Sequence, residues 1–226
     1  MPSLVVQSTN FYKGNLFGGN IQAGFKLFFG QTRRFGLRFY GFFSGQAGNA
    51  NSIHSKDPDS NFVIKDQPTS NFFYAGGVDA LYNFYDKNNR SFGVFAGLMV
   101  GWSSWSMGES KQCAGTAIYS PGGFDGGCVS TNKFFQQLLH TDSEYYPEFK
   151  TSSSFAFVQA VVNLGFRFNF TKHQGLEVGV RIPTINTPGY VSKGAFLEHN
   201  IVKVELNDSL TFRRDIAAFI DYVISF

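Results

Sequence analysis

The chain has 226 residues, among them 28 Phe and 25 Gly, with only 15% charged residues and a formal net charge of +3. A soluble domain usually carries about a quarter charged residues, so the composition argues against one, and a mean hydropathy of −0.11 argues equally against a bundle of membrane helices. The mild basic balance contains no Lys/Arg cluster, so no nucleic-acid partner is expected.

No segment offers the roughly 20 apolar residues that a spanning helix needs. The best stretch, residues 155–170, is interrupted by Gln159, Asn163, Arg167 and Asn169. High aromatic content, low charge and near-neutral hydropathy together fit a membrane barrel, in which apolar and polar residues alternate and average out. The opening Met1-Pro2-Ser3-Leu4 lacks the features of a secretory signal, so a mature or partial form of an exported protein is expected.

Period-2 alternation recurs along the chain and predicts seven strands. In residues 20–29, Ile21, Ala23, Phe25, Leu27 and Phe29 share one face, opposite Asn20, Gln22, Gly24 and Lys26. After a short turn, residues 34–44 set Phe35, Leu37, Phe39, Gly41 and Phe43 against Gly36, Arg38 and Tyr40. A polar loop, residues 45–70, leads to a third strand over 71–85, where Phe72, Tyr74, Val78, Tyr82 and Phe84 oppose Ala75, Gly77, Asp79 and Asn83. The turn 86–90 precedes a fourth strand, 91–103, with Phe92, Val94, Leu98, Val100 and Trp102 on the apolar side.

The longest predicted loop covers 104–152. It holds the two cysteines, Cys113 and Cys128. A Cys113–Cys128 disulfide closing this Gly-rich loop in an oxidising compartment is expected, with two free thiols as the alternative. The fifth strand alternates Val158, Ala160, Val162, Leu164, Phe166 and Phe168 with Phe157, Gln159, Asn163 and Arg167. A turn at 171–174 leads to the sixth, where Leu176, Val178, Val180 and Ile182 oppose Glu177, Gly179 and Arg181. Residues 183–209 read as loop. The last strand, 210–226, sets Phe212, Ile216, Ala218, Ile220, Tyr222, Ile224 and Phe226 against Arg213, Asp215, Phe219 and Asp221.

Three features assign the class: an all-β, antiparallel transmembrane β-barrel of seven to eight strands, with short periplasmic turns and long extracellular loops. Connections alternate short and long, as they do in outer-membrane barrels. Aromatic residues gather near strand ends on the apolar face, where they suit headgroup-level girdles. The charges Lys26, Arg38, Asp79, Arg167, Glu177, Arg181, Arg213, Asp215 and Asp221 fall on the other face, where both signs are available to form a lumen network. A soluble barrel or sandwich would place its apolar residues inside instead. Residues 1–19 are read as an N-terminal segment and 20–226 as the barrel domain. The odd strand count leaves two sources for an eighth strand: residues 4–11, or a segment upstream.

The ending, with Phe226, Ile224, Tyr222 and Ile220 at alternate positions, resembles the outer-membrane insertion signature, which implies the barrel-assembly machinery as a partner. Five further stretches are distinctive: Phe35-Gly-Leu-Arg-Phe-Tyr-Gly-Phe-Phe43, Tyr74-Ala-Gly-Gly-Val-Asp-Ala-Leu-Tyr-Asn-Phe84, Ser91-Phe-Gly-Val-Phe-Ala-Gly97, Gly175-Leu-Glu-Val-Gly-Val-Arg-Ile-Pro183 and the run from Leu210 through Asp215. By these stretches the chain resembles the C-terminal barrel of the Helicobacter outer-membrane protein family, the Hop and Hor group of adhesins and porins.

The resemblance implies an integral, multi-pass protein of the bacterial outer membrane, bathed in lipid and lipopolysaccharide. Three functions are then open: an anchor and loop-display platform of an adhesin-like protein, meeting a host surface receptor through its loops; a small-solute porin; or an outer-membrane hydrolase. His140-Thr141-Asp142-Ser143 contains catalytic residue types, but neighbours on one loop rarely meet the geometry of a triad. No enzyme activity, metal or cofactor is expected.

Overall fold

The computed structural model describes residues 3–30, 32, 34–53, 67–108, 118–120, 123–125, 132, 150–185, 188–198, 202–211 and 216–226. The strands are β1 (Ser3–Phe29), β2 (Phe35–Ile53), β3 (Gln67–Lys87), β4 (Arg90–Met107), β5 (Ile118–Ser120), β6 (Gly123–Asp125), β7 (Lys150–Ser153), β8 (Ala156–Asn169), β9 (Gln174–Pro183), β10 (Pro188–Glu198), β11 (Val202–Thr211) and β12 (Ala217–Ile224).

Seven of these form the predicted meander in the order β12-β9-β8-β4-β3-β2-β1, and every pairing within it is antiparallel. The sheet curls into a half-barrel. Chain neighbours pair wherever the connection is short. Asn88 and Asn89, with φ of 54° and 59°, make the two-residue β3–β4 loop, because a type I′ turn needs positive φ at both central positions. Gly30, with φ of 72°, begins the β1–β2 connection. Near the β3–β4 turn, the register shifts between Asn83 and Tyr85. This bulge sends both Phe84 and Tyr85 to the exposed face.

The alternation holds as predicted. Leu164 and Phe166 are exposed, whereas Asn163 and Arg167 are only 3% and 2% exposed. On the outer face the register builds rows of like residues. One row near the long loops runs Phe43, Tyr74 and Trp102; another near the short turns runs Phe29, Phe35 and Tyr82. Between them lies a row of Ala23, Gly41, Gly76, Val100 and Ala160.

The structure corrects several expectations, among them the loop read over 104–152, within which β5, β6 and the start of β7 lie. Residues 183–209, read as loop, contain β10 and β11, which pair antiparallel with each other. Val202, Val204 and Leu206 alternate there, but Lys203, Glu205 and Asn207 between them gave the segment the composition of a loop. The last meander strand is shorter than predicted, because Leu210 and Thr211 pair with β10 instead. One pairing is parallel: Ser3 to Asn10 of β1 lie alongside β11. Residues 4–11, considered above as an eighth strand, are therefore the first part of β1 itself.

Candidate interior site

The inward residues of β2, β3, β8, β9 and β12 point into the trough, and the curl brings together groups from strands that are not neighbours. At its centre sits Arg38. Its Nε and Nη2 donate to Asp79 Oδ2 at 2.9 and 2.6 Å, and its Nη1 donates to both oxygens of Glu177 at 2.7 Å. Asp79 lies on the adjacent strand, but Glu177 is on β9, with three strands between it and β2. One guanidinium thus ties two walls together. Tyr40 extends the cluster: its hydroxyl donates to Asp79 Oδ1 at 3.0 Å and accepts from Asn163 Nδ2 at 2.5 Å.

A second cluster bridges the sheet's outer strands. Arg181 Nη2 donates to Asp221 Oδ2 at 2.9 Å, and Asn20 Nδ2 donates to Asp221 Oδ1 at 2.9 Å. Asn20 belongs to β1 and Asp221 to β12, at opposite ends of the seven-strand order. Charge-assisted bonds of this kind are stronger than neutral ones. A buried ion pair still owes much of its attraction to recovering desolvation, so its value here is geometric: breaking one partner strands the other.

Rings fill the space that the charges leave. Arg181 Cζ lies 3.7 Å from the Phe219 ring centroid and 4.6 Å from that of Phe42. Arg38 Cζ lies 4.9 Å from the Phe95 centroid. Phe95 in turn sits 6.3 Å from Phe219 across the trough. The rings of Phe95, Phe219 and Tyr40 are each seated on a glycine of a neighbouring strand. A methyl group added at Gly165 would stand 2.6 Å from Phe95 Cζ, one at Gly179 2.9 Å from Phe219 Cζ, and one at Gly77 would overlap the Tyr40 ring. The inward glycines that the sequence left as merely small are sockets. Tyr40, Phe42, Phe73, Met99 and Val161 pack into the buried cluster they permit.

The nine predicted network residues are thus distributed unevenly. Arg38, Asp79 and Glu177 meet in one cluster, and Arg181 and Asp221 in another. Arg167 is buried but makes only a 3.4 Å contact with Asn83 Oδ1, and Lys26, half-buried, enters no ion pair among the described residues. Arg213 and Asp215 lie outside the described residues, as do Cys113, Cys128 and the 140–143 run. Tyr40, Asn163 and Asn20 were missed as members. Tyr40 follows Arg38 by two residues on the same face, a signal that was available; nothing local marked Asn20 as a partner of Asp221.

At the short-turn end, Ser225 N donates to His173 O, and Ser225 O lies 2.8 Å from His173 Nδ1. The last residues are thereby docked on the β8–β9 turn, and Ile220, Tyr222, Ile224 and Phe226 all remain on the exposed face.

An apolar outer face with aromatic rows, over an ion-paired interior, is the inverse of a soluble barrel. Residues 20–226 match the family described as Helicobacter outer membrane protein. The chain belongs to that family. The match spans the meander and its interior site, so the family relationship and the half-barrel together support an outer-membrane protein. No curated protein and no solved structure matches the chain.

Proposed function

We propose that this chain is the integral, membrane-spanning barrel of an adhesin-like outer-membrane protein, serving as anchor and loop-display platform rather than as a pore or an enzyme. The observation that carries the reading is the filled interior. Arg38 and Glu177 join opposite walls, Tyr40 and Asn163 do the same one step away, and the rings of Phe42, Phe95 and Phe219 occupy the remainder. Even a closed barrel of eight strands is just wide enough for side chains to fill, and these side chains already span the interior of the seven-strand sheet.

The outer face supports immersion in lipid. Eight residues separate the aromatic rows at Phe35 and Phe43 along β2. At about 3.4 Å per residue, and with the usual strand tilt of about 40°, that is about 20 Å of height, close to the apolar band of roughly 25 Å in such barrels. The rows then sit at the two headgroup levels, in contact with phospholipid on one side and lipopolysaccharide on the other. The short turns face the periplasm. The long loops face outward, where a host surface receptor is the partner this architecture would serve. β12 and the two residues after it present Ile220, Tyr222, Ile224 and Phe226, the alternate apolar residues on which the barrel-assembly machinery acts.

The deciding experiment is conductance. Purified protein reconstituted in planar bilayers is expected to show no stable open channel. A reproducible ion-selective pore would overturn the anchor reading in favour of a small-solute porin.

A further inference from the structure

The described interior charges do not balance, and the imbalance is localised. Four cations face inward, Lys26, Arg38, Arg167 and Arg181, against three carboxylates, Asp79, Glu177 and Asp221. Every one of those carboxylates is committed. Asp79 and Glu177 bind Arg38, and Asp221 binds Arg181 and Asn20. Arg167 stands directly opposite Glu177 in the β8–β9 register, yet both Glu177 oxygens are taken by Arg38 Nη1.

Arg167 is 2% exposed, and its Nε and Nη1 have no hydrogen-bond partner. Its remaining nitrogen has the long contact to Asn83, and its guanidinium lies 5.5 Å from the Phe28 ring centroid. Glu177 and the turn residue Asp86 reach it only through space. An arginine in a protein does not shed its proton, so burial cannot neutralise it as it might a lysine. Buried charges are paired or bound to an ion. Lys26, from β1, is near enough to interact electrostatically with Glu177 and with Arg167, but it enters no ion pair among the described residues, and the Glu177 oxygens it feels are the ones already bound to Arg38.

We propose that the short-turn end of the interior binds one monovalent, halide-sized anion between Arg167 and Lys26. One negative charge brings the four cations and three carboxylates to neutrality, whereas a divalent oxyanion would overshoot it. The location beside Phe28 and Asn83, at the short-turn end, where Arg167 is almost wholly buried, favours a single atom over a larger group. The ion is structural: it satisfies the idle donors of Arg167 and holds β8 to β1 across the trough. This assignment needs only the buried guanidinium, not the anchor role, so it survives even if the protein conducts.

The test uses the full chain folded in detergent micelles. Thermal unfolding is followed in sodium chloride, sodium bromide, sodium phosphate and sodium gluconate at equal ionic strength. A ligand bound only by the folded state raises its midpoint in a concentration-dependent way. The midpoint is expected to rise saturably with chloride or bromide but not with gluconate, and the rise is expected to vanish in Arg167→Gln and Lys26→Met. Should Arg167→Gln fail to fold, Lys26→Met carries the test, because Lys26 is only half-buried. Crystals grown in bromide are expected to give an anomalous peak at Arg167. Equal midpoints in chloride and gluconate, a halide effect unchanged in the variants, a response to phosphate alone, or only water at Arg167 would each overturn the proposal.

Discussion

The outer and inner faces of this sheet are cut from the same strands by the same alternation, yet they are organised differently. Outside, a residue meets its neighbours on the same or the adjacent strand, as in the stacked pairs Phe25–Phe39, Phe43–Phe72 and Phe92–Phe166. Inside, the important contacts skip strands: Arg38 to Glu177, Tyr40 to Asn163, Asn20 to Asp221. The outer face is a set of nearly independent small terms, sensitive to polarity. The inner face is a network, sensitive to the loss of any one member. Substitutions should therefore fail in different ways on the two sides.

The largest effect is expected from the outer face, and it would be kinetic. Phe226 is fully exposed at 111%, so a packing argument predicts that deleting it costs little, as for any frayed terminus. If the terminal aromatic is read during insertion, its deletion in a signal-bearing version, with any upstream segment included, should remove most of the folded barrel. Membrane fractionation and heat-modifiable gel mobility report this; equal folded amounts would reject the signal.

Within the network, Arg38→Ala leaves Asp79 and Glu177 buried without their common partner. Removing one member of a buried pair typically costs about 3–5 kcal/mol. Urea unfolding from micelles should show at least that loss, and a change within 1 kcal/mol, roughly the value of an exposed pair, would mean that water reaches the centre and the comparison fails. Leu164→Arg tests the opposite face. Arg at the middle of the lipid band costs roughly 2–4 kcal/mol, whereas on a water-facing strand it would be nearly neutral. A neutral result in lipid would take Leu164 out of the band.

The smallest effect sharpens the inner side. Gly165→Ala puts a methyl group 2.6 Å from Phe95 Cζ and 2.6 Å from Val178 O, and overpacking of this kind costs about 1–3 kcal/mol. The same change at Gly76, an outward glycine with nothing within 4 Å of the added atom, should be silent. Equal responses at the two positions would show that the ring–glycine sockets carry no packing energy.

The sequence alone determined the all-β class with its antiparallel meander, the strand faces and the tight turns, because each is a local property. Alternation sets which way a side chain points regardless of distant contacts, and Asn88-Asn89 needs only its own backbone to turn. Tertiary structure decided the rest. Which charges pair depends on how far the sheet curls and on its stagger, so Arg38 reached Glu177 while Arg167, directly opposite that carboxylate in register, did not. The β10–β11 hairpin escaped notice because its strands lack the continuous apolar face by which the meander strands were recognised. Their alternation is diluted by charge, and the pairing of β11 with the start of β1 joins segments about 200 residues apart, a contact that no local pattern announces.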